Sequence, residues 1–189
     1  GWFFRRSSCY GRMGFYTHGS GAGLAGQPAS FSKRMNSFSR LVVFQVEDGR
    51  YGVRFEDVER VVAAVELVPL PDAPDLVLGV FNLQGNVVPA IDTRLRLRLP
   101  SRELRVSDQF LVVRAAGRVL ALVTDRVQGI VEAAALEVTA TDHVVPGLPG
   151  VEGVLRLPDG VVVIHDLARF LSAEDGLRLD AARRRLASV

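Results

Sequence analysis

His165-Asp166 closes the apolar run 161–164, and a tandem His-Asp is a pattern that metal-dependent phosphohydrolases use. Such a centre needs further His and Asp ligands converging on the same ion. The chain has three histidines, His18, His143 and His165, and His18 lies in an N-terminal segment of different composition. A strand-end pair closing a hairpin is therefore the simpler reading, with the hydrolase as its alternative. Gly21-Ala22-Gly23-Leu24-Ala25-Gly26 spells a G-x-G-x-x-G. A dinucleotide site needs a strand before that motif and a helix after it, and neither pattern flanks it. No serine stands in a G-x-S-x-G context, Cys9 is isolated, and the only lysine, Lys33, lies outside any phosphate-loop motif. Glu56-Asp57 and Glu174-Asp175 sit beside turn or helix starts, where acids serve exposed backbone N–H groups more often than they transfer protons. The residues offer no catalytic, metal or cofactor site.

The elements that would carry these residues are mostly strands. Residues 1–38 are rich in Gly, Ser and scattered aromatics without a period of 2 or 3.6, and read as a disordered arm. Met35 lies close to the first clear strand, so the natural start is expected near it, with residues 1–34 an extension ahead of it. Arg5, Arg6, Arg12, Lys33 and Arg34 make the arm basic without a single acid, whereas the remainder holds more acids than bases. The pI of about 9.1 thus belongs to the arm, and the body carries no electrostatic footprint for nucleic acid. No apolar run reaches the ~20 residues that span a bilayer, no secretory signal is visible, and one cysteine leaves no internal disulfide. A cytoplasmic home is expected.

From residue 41 the texture is β. Runs at 41–46, 51–55, 61–68, 79–92, 110–113, 118–124, 127–138, 155–157 and 161–164 are separated by turn signals such as Glu47-Asp48-Gly49 and Pro158-Asp159-Gly160. Only the end reads as helix, with Leu167, Phe170 and Leu171 on one face and helix formers over 173–187. A repeat is present. Shifted by 74 positions, Gly79 falls on Gly153, Val80 on Val154, Leu83 on Leu157, Val87-Val88 on Val161-Val162 and Asp92 on Asp166. Gly49-Arg50 likewise resembles Gly117-Arg118. Two such units predict paired small barrels, each too small to bury much alone and hence packed together.

The stretch GVFNLQGNVVPAID at residues 79–92 resembles the signature of the CheW family of chemotaxis coupling proteins, which runs roughly G-v-x-n-l-R-G-x-v-v-P-v-i-D. The likeness extends to Phe44 with Tyr51-Gly52-Val53, to Gly117-Arg118 with Val123 and Asp125, and to residues 153–171, covering roughly 39–173. The resemblance implies a mainly β fold of two packed five-stranded SH3-like barrels with a short C-terminal helix. It divides the chain into the arm at 1–38, a CheW-like domain at 39–173 and a helical tail at 174–189. It also implies a non-enzymatic adaptor, without cofactor or metal, that couples chemoreceptor cytoplasmic tips to the regulatory domain of a CheA-type histidine kinase. No direct membrane insertion is implied, only association with receptor arrays through partners. By position, Val58, Arg60, Asn82, Gln84, Gly85 and Asn86 would face the receptor or kinase. The family commonly has Arg where this chain has Gln84, and Glu where it has Arg60. That double departure points to a divergent adaptor, in another chemosensory, motility or polar-localisation pathway, or to drift at an exposed turn.

Overall fold

The computed structural model describes residues 40–133, 138–140 and 150–187. Among them are eleven strands: β1 (Arg40–Val46), β2 (Gly49–Arg54), β3 (Val58–Ala63), β4 (Val77–Leu83), β5 (Asn86–Ile91), β6 (Gln109–Ala115), β7 (Arg118–Thr124), β8 (Arg126–Glu132), β9 (Val138–Ala140), β10 (Val151–Leu157) and β11 (Gly160–His165). The helices are α1 (Thr93–Arg96) and α2 (Ala173–Ala187), with 3-10 turns at Phe55–Asp57 and Leu167–Arg169. The expected arm and its glycine motif lie outside the described residues, as do Cys9, His18 and His143.

Two sheets form, ordered β8-β1-β2-β11-β10-β9 and β3-β6-β7-β5-β4. The expected five strands are met in the second and exceeded by one in the first, and neither order closes into a ring among the described residues. The two orders become the same when each strand of the first repeat is exchanged for its counterpart in the second. Each repeat therefore lends its first hairpin to the other's sheet, an exchange invisible in a linear reading. The registers agree. Val77 and Gly79 face Ile91 and Ala90 across a bulge, as Val151 and Gly153 face His165 and Ile164. The lone bridge between Val68 and Val80 stands where Thr139 pairs with Val154, so β9 is a bridge lengthened into a strand. Gly79, at φ 154°, is needed for this approach, because a Cβ there would meet the Val68 carbonyl oxygen at 2.7 Å.

One equivalence shifts. Ala115 pairs with Arg118 across a two-residue turn as Val46 pairs with Gly49. Structurally Arg118 therefore matches Gly49, and the sequence match of Gly49-Arg50 with Gly117-Arg118 is out by one. Identical glycines drew that alignment, whereas backbone pairing decides it.

β1 and β6 are apolar without alternation because both of their faces are buried. Val42, Phe44 and Val46 join Leu111, Val113, Leu120 and Leu122 in a core shared by the two sheets. Leu41 and Val43 point the other way, toward Leu155, Val162 and Ile164. Phe110 and Val112 do the same toward Phe81 and Val88 in the second sheet. Full burial of such side chains is worth about 1.5–3 kcal/mol each, which is why the halves hold together as expected. Leu179 and Ala182 carry α2 into the shared core.

A polar clasp also crosses between the sheets. Arg94, buried on α1, donates to Asp125 at 2.8 and 2.9 Å and pairs with Glu47 of the β1–β2 turn. Arg102 bridges Asp125 and the buried Asp108. Burial pushes the Asp125 carboxyl up, but hydrogen bonds from Arg94, the Glu47 amide and Arg102 outweigh it and hold it below the usual carboxylate range.

Candidate functional site

His165 sits at the end of β11 at 3% exposure, and neither ring nitrogen has a hydrogen-bond partner. Its neighbours are aromatic, with Tyr51 at 5.8 Å and Phe170 edge-on at 6.2 Å between ring centroids. Burial, assisted by the charge of Arg96, lowers its pKa to about 4, so it is neutral at physiological pH. Asp166 turns away to accept from the Ala168 amide at 2.9 Å, as Asp92 accepts from Leu95 at 3.1 Å. Both are caps closing equivalent strand-to-helix corners. No group of three or more His, Cys, Asp or Glu among the described residues could hold a metal. The other paired acids stand at element starts. Glu56 and Asp57 lie in the first 3-10 turn, and Ser172 caps α2 by accepting from Asp175 at 3.0 Å.

The polar break of the 79–92 stretch is a two-residue hairpin turn. Leu83 pairs with Asn86, and Gln84 and Gly85 both have left-handed φ, 53° and 87°. Two consecutive positive φ values match the twist of antiparallel strands, and Gly at the second position bears this at least cost. The Asn82 side chain locks the turn by accepting from the Gly85 amide at 2.7 Å. Arg60, on β3 at the other edge of the same sheet, donates to the Gln84 carboxamide oxygen at 2.8 Å. The two positions that depart from the family signature are thus in direct contact. The guanidinium has not been lost; it stands across the pair, on Arg60.

Arg60, Gln84 and Asn86 line an open cleft of about 690 Å³. Val58 does not line it; it is half-buried against the shared core. Its other charged walls are Glu59, Arg114, Arg118, Asp180 and Arg183, and sequence reasoning did not place them at this site. Arg118 grips Asp180 of α2 with three hydrogen bonds of 2.7 to 3.2 Å, and this pairing holds the Asp180 carboxyl below its ordinary range. Arg114 pairs with Glu59 at 2.5 Å. Arg183 donates to the Val87 carbonyl at 3.3 Å. The basic run in the tail was the available signal, but nothing local to it tells where the helix lands.

Comparison with known proteins agrees with this architecture. The family model for the CheW-like domain matches residues 40–175. The chain belongs to the CheW-like domain family. A CheW-like chain of Treponema pallidum, a chemotaxis protein, is 25% identical over 142 residues, 72% of this chain and 84% of that one. The chemotaxis protein CheW of Rhizobium meliloti is 27% identical over 142 residues, 74% of this chain and 92% of that one. The crystal structure of the scaffolding protein CheW from Thermoanaerobacter tengcongensis superposes with a TM-score of 0.64 at 24% identity, covering 72% of this chain and 94% of that one. The expected CheW-like fold stands, and the chain is a coupling adaptor of chemotaxis signal transduction. The family match ends at residue 175, so nearly all of α2 lies beyond it.

Proposed function

We propose that this CheW-like chain couples the cytoplasmic tips of chemoreceptors to the regulatory domain of a CheA-type histidine kinase. It acts in the cytoplasm, without catalysis of its own. The family-model match over residues 40–175 carries this reading. It is supported by a buried, neutral His165 and capping Asp92 and Asp166, which leave the tandem His-Asp a structural role. No helix among the described residues is long and apolar enough to cross a membrane, in keeping with attachment to receptors through partners. The working face is the β4–β5 turn with Arg60, Asn82, Gln84, Gly85 and Asn86, while Val58, on the same strand as Arg60, packs against the shared core. Coupling requires that both partners be held at once and that their contacts differ between signalling states.

The Arg60–Gln84 contact favours a partner set adapted to this chain. Gln84→Arg with Arg60→Glu would restore the family's charges and should strengthen binding to a standard receptor–kinase pair. Unchanged affinity would instead mark the two positions as drift. The function itself is tested by pull-down of the full chain with receptor-tip fragments and with the kinase. Binding of both is expected, and binding of neither at about 50 µM, some 6 kcal/mol of affinity, would overturn the assignment.

A further inference from the structure

The cleft beside the β4–β5 turn has an unbalanced charge that the fold does not use. Two of its arginines are neutralised within the molecule, Arg118 by Asp180 and Arg114 by Glu59. Among the described residues Arg60 bonds only to the neutral Gln84 carboxamide, while Arg183 bonds to a backbone carbonyl and shares the field of Asp180, which Arg118 already grips. Arg184 lines the adjoining depression of about 470 Å³ with Gly85, Asn86 and Val87, and its charge also acts on Asp180, so one carboxylate serves three arginines. Three guanidiniums therefore surround one hairpin tip, and two of them come from α2, outside the segment that matches the family model. Between them Val87, 40% exposed, and the half-buried Leu83 set apolar side chains into an otherwise mostly polar cleft.

We propose that α2 and the β4–β5 turn together form a docking cleft for an acidic, partly apolar protein segment of the chain's signalling partner. The chemistry selects this occupant. Guanidiniums bind carboxylates through two parallel N–H donors, and each such bond is stronger than one between neutral groups. The interleaved Val87 and Leu83 match a peptide whose acidic side chains alternate with apolar ones, and offer nothing to a bare polyanion. The chain's own N-terminal arm is excluded, since residues 1–34 carry five basic side chains and no acid. The proposal rests on the reading of this face as the partner-facing one, and adds what it recognises and which helix supplies the charge.

The test is an NMR titration of the full chain with a short capped peptide in which Glu alternates with Ala or Leu. Its Gln-for-Glu counterpart and inorganic phosphate serve as separate arms. The acidic peptide should shift the amides of Gly85, Asn86, Val87 and Gly117, and the Gln peptide should not. Arg60→Gln and Arg183→Gln should each weaken binding about tenfold. Equal binding of the Gln peptide, tighter binding of phosphate than of peptide, or unaltered affinity in both variants would overturn the proposal. Arg60 is exposed and bonded only to Gln84, so Arg60→Gln reports on the cleft even if Arg183→Gln unseats α2. Neither receptor nor kinase enters the titration. Its failure leaves the coupling role standing, and a chain that binds the peptide but neither partner loses the coupling role alone.

Discussion

The two hairpin tips related by the repeat have the same frame and opposite chemistry. In the second repeat the tip carries Asp159, which pairs with Arg50 at 2.9 Å, and Arg50 is held further by Gln128. In the first, the same place is Gly85, which brings no charge. Arg60, which faces Val112 on β6, has as its counterpart Gly129, which faces Val43 on β1. One tip is self-neutralised, while the other presents an unneutralised guanidinium and is overlooked by the basic end of α2. Where the halves agree, the residues serve folding, as the capping Asp92 and Asp166 do. Where they differ, a function has room to act. Substitutions that make one half more like the other test that division.

The largest effect is expected at the clasp. Arg94 corresponds to the exposed Ala168 of the second repeat, yet it is buried and bound to Asp125 and Glu47. Arg94→Ala should cost about 3 kcal/mol in urea unfolding, because it empties a buried guanidinium site, deprives Glu47 of its partner and leaves Asp125 to Arg102 alone. A loss near zero would mean the clasp does not tie the sheets together.

His165 corresponds to Ile91. An imidazole whose pKa falls from 6.5 to about 4 on folding takes up its proton more readily when unfolded. Its contribution is intact above pH 6.5 and is lost as pH falls toward 4, by about 3 kcal/mol in all. His165→Ile should flatten this part of the stability–pH curve and stabilise the neutral protein by about 1 kcal/mol, since two buried unpartnered nitrogens disappear. An unchanged pH curve would place the sensitivity in other groups.

Gly85→Val should cost about 1–2 kcal/mol through the left-handed backbone alone, since a Cβ there meets nothing within 4 Å. Gly85→Asn, which tolerates that conformation, should cost less. Equal stability of all three proteins would contradict the turn geometry. The smallest change is expected from Asp159→Asn at the fully exposed second tip, which should leave the melting temperature and partner binding where they were. Weakened partner binding would show that both tips are functional.

Much of the strand content and the repeat itself were legible in the sequence, because turn signals and apolar runs are local. Two-sided burial explains why residues 41–46 read as a run and not an alternation. The hairpin exchange was not legible, since either partner for β1–β2 satisfies the same local pattern. Of the candidate site, Arg60, Asn82, Gln84, Gly85 and Asn86 were named from the family resemblance; the last four cluster at the β4–β5 turn, and Arg60 reaches it from β3. Val58 was named with them but packs against the core. Asp180 and Arg183 escaped because their place depends on where α2 docks, set by Leu179, Ala182 and the Arg118–Asp180 pair, and Arg114 and Arg118 because only the exchanged hairpin β6–β7 brings them beside the turn.

The most direct measurement of the coupling role is kinase turnover in a reconstituted membrane that holds receptors and a CheA-type kinase, with and without the full chain. Receptor ligand should change the phosphorylation rate only when the chain is present. Ligand control that is the same without it, or absent with it, would rule out the coupling role.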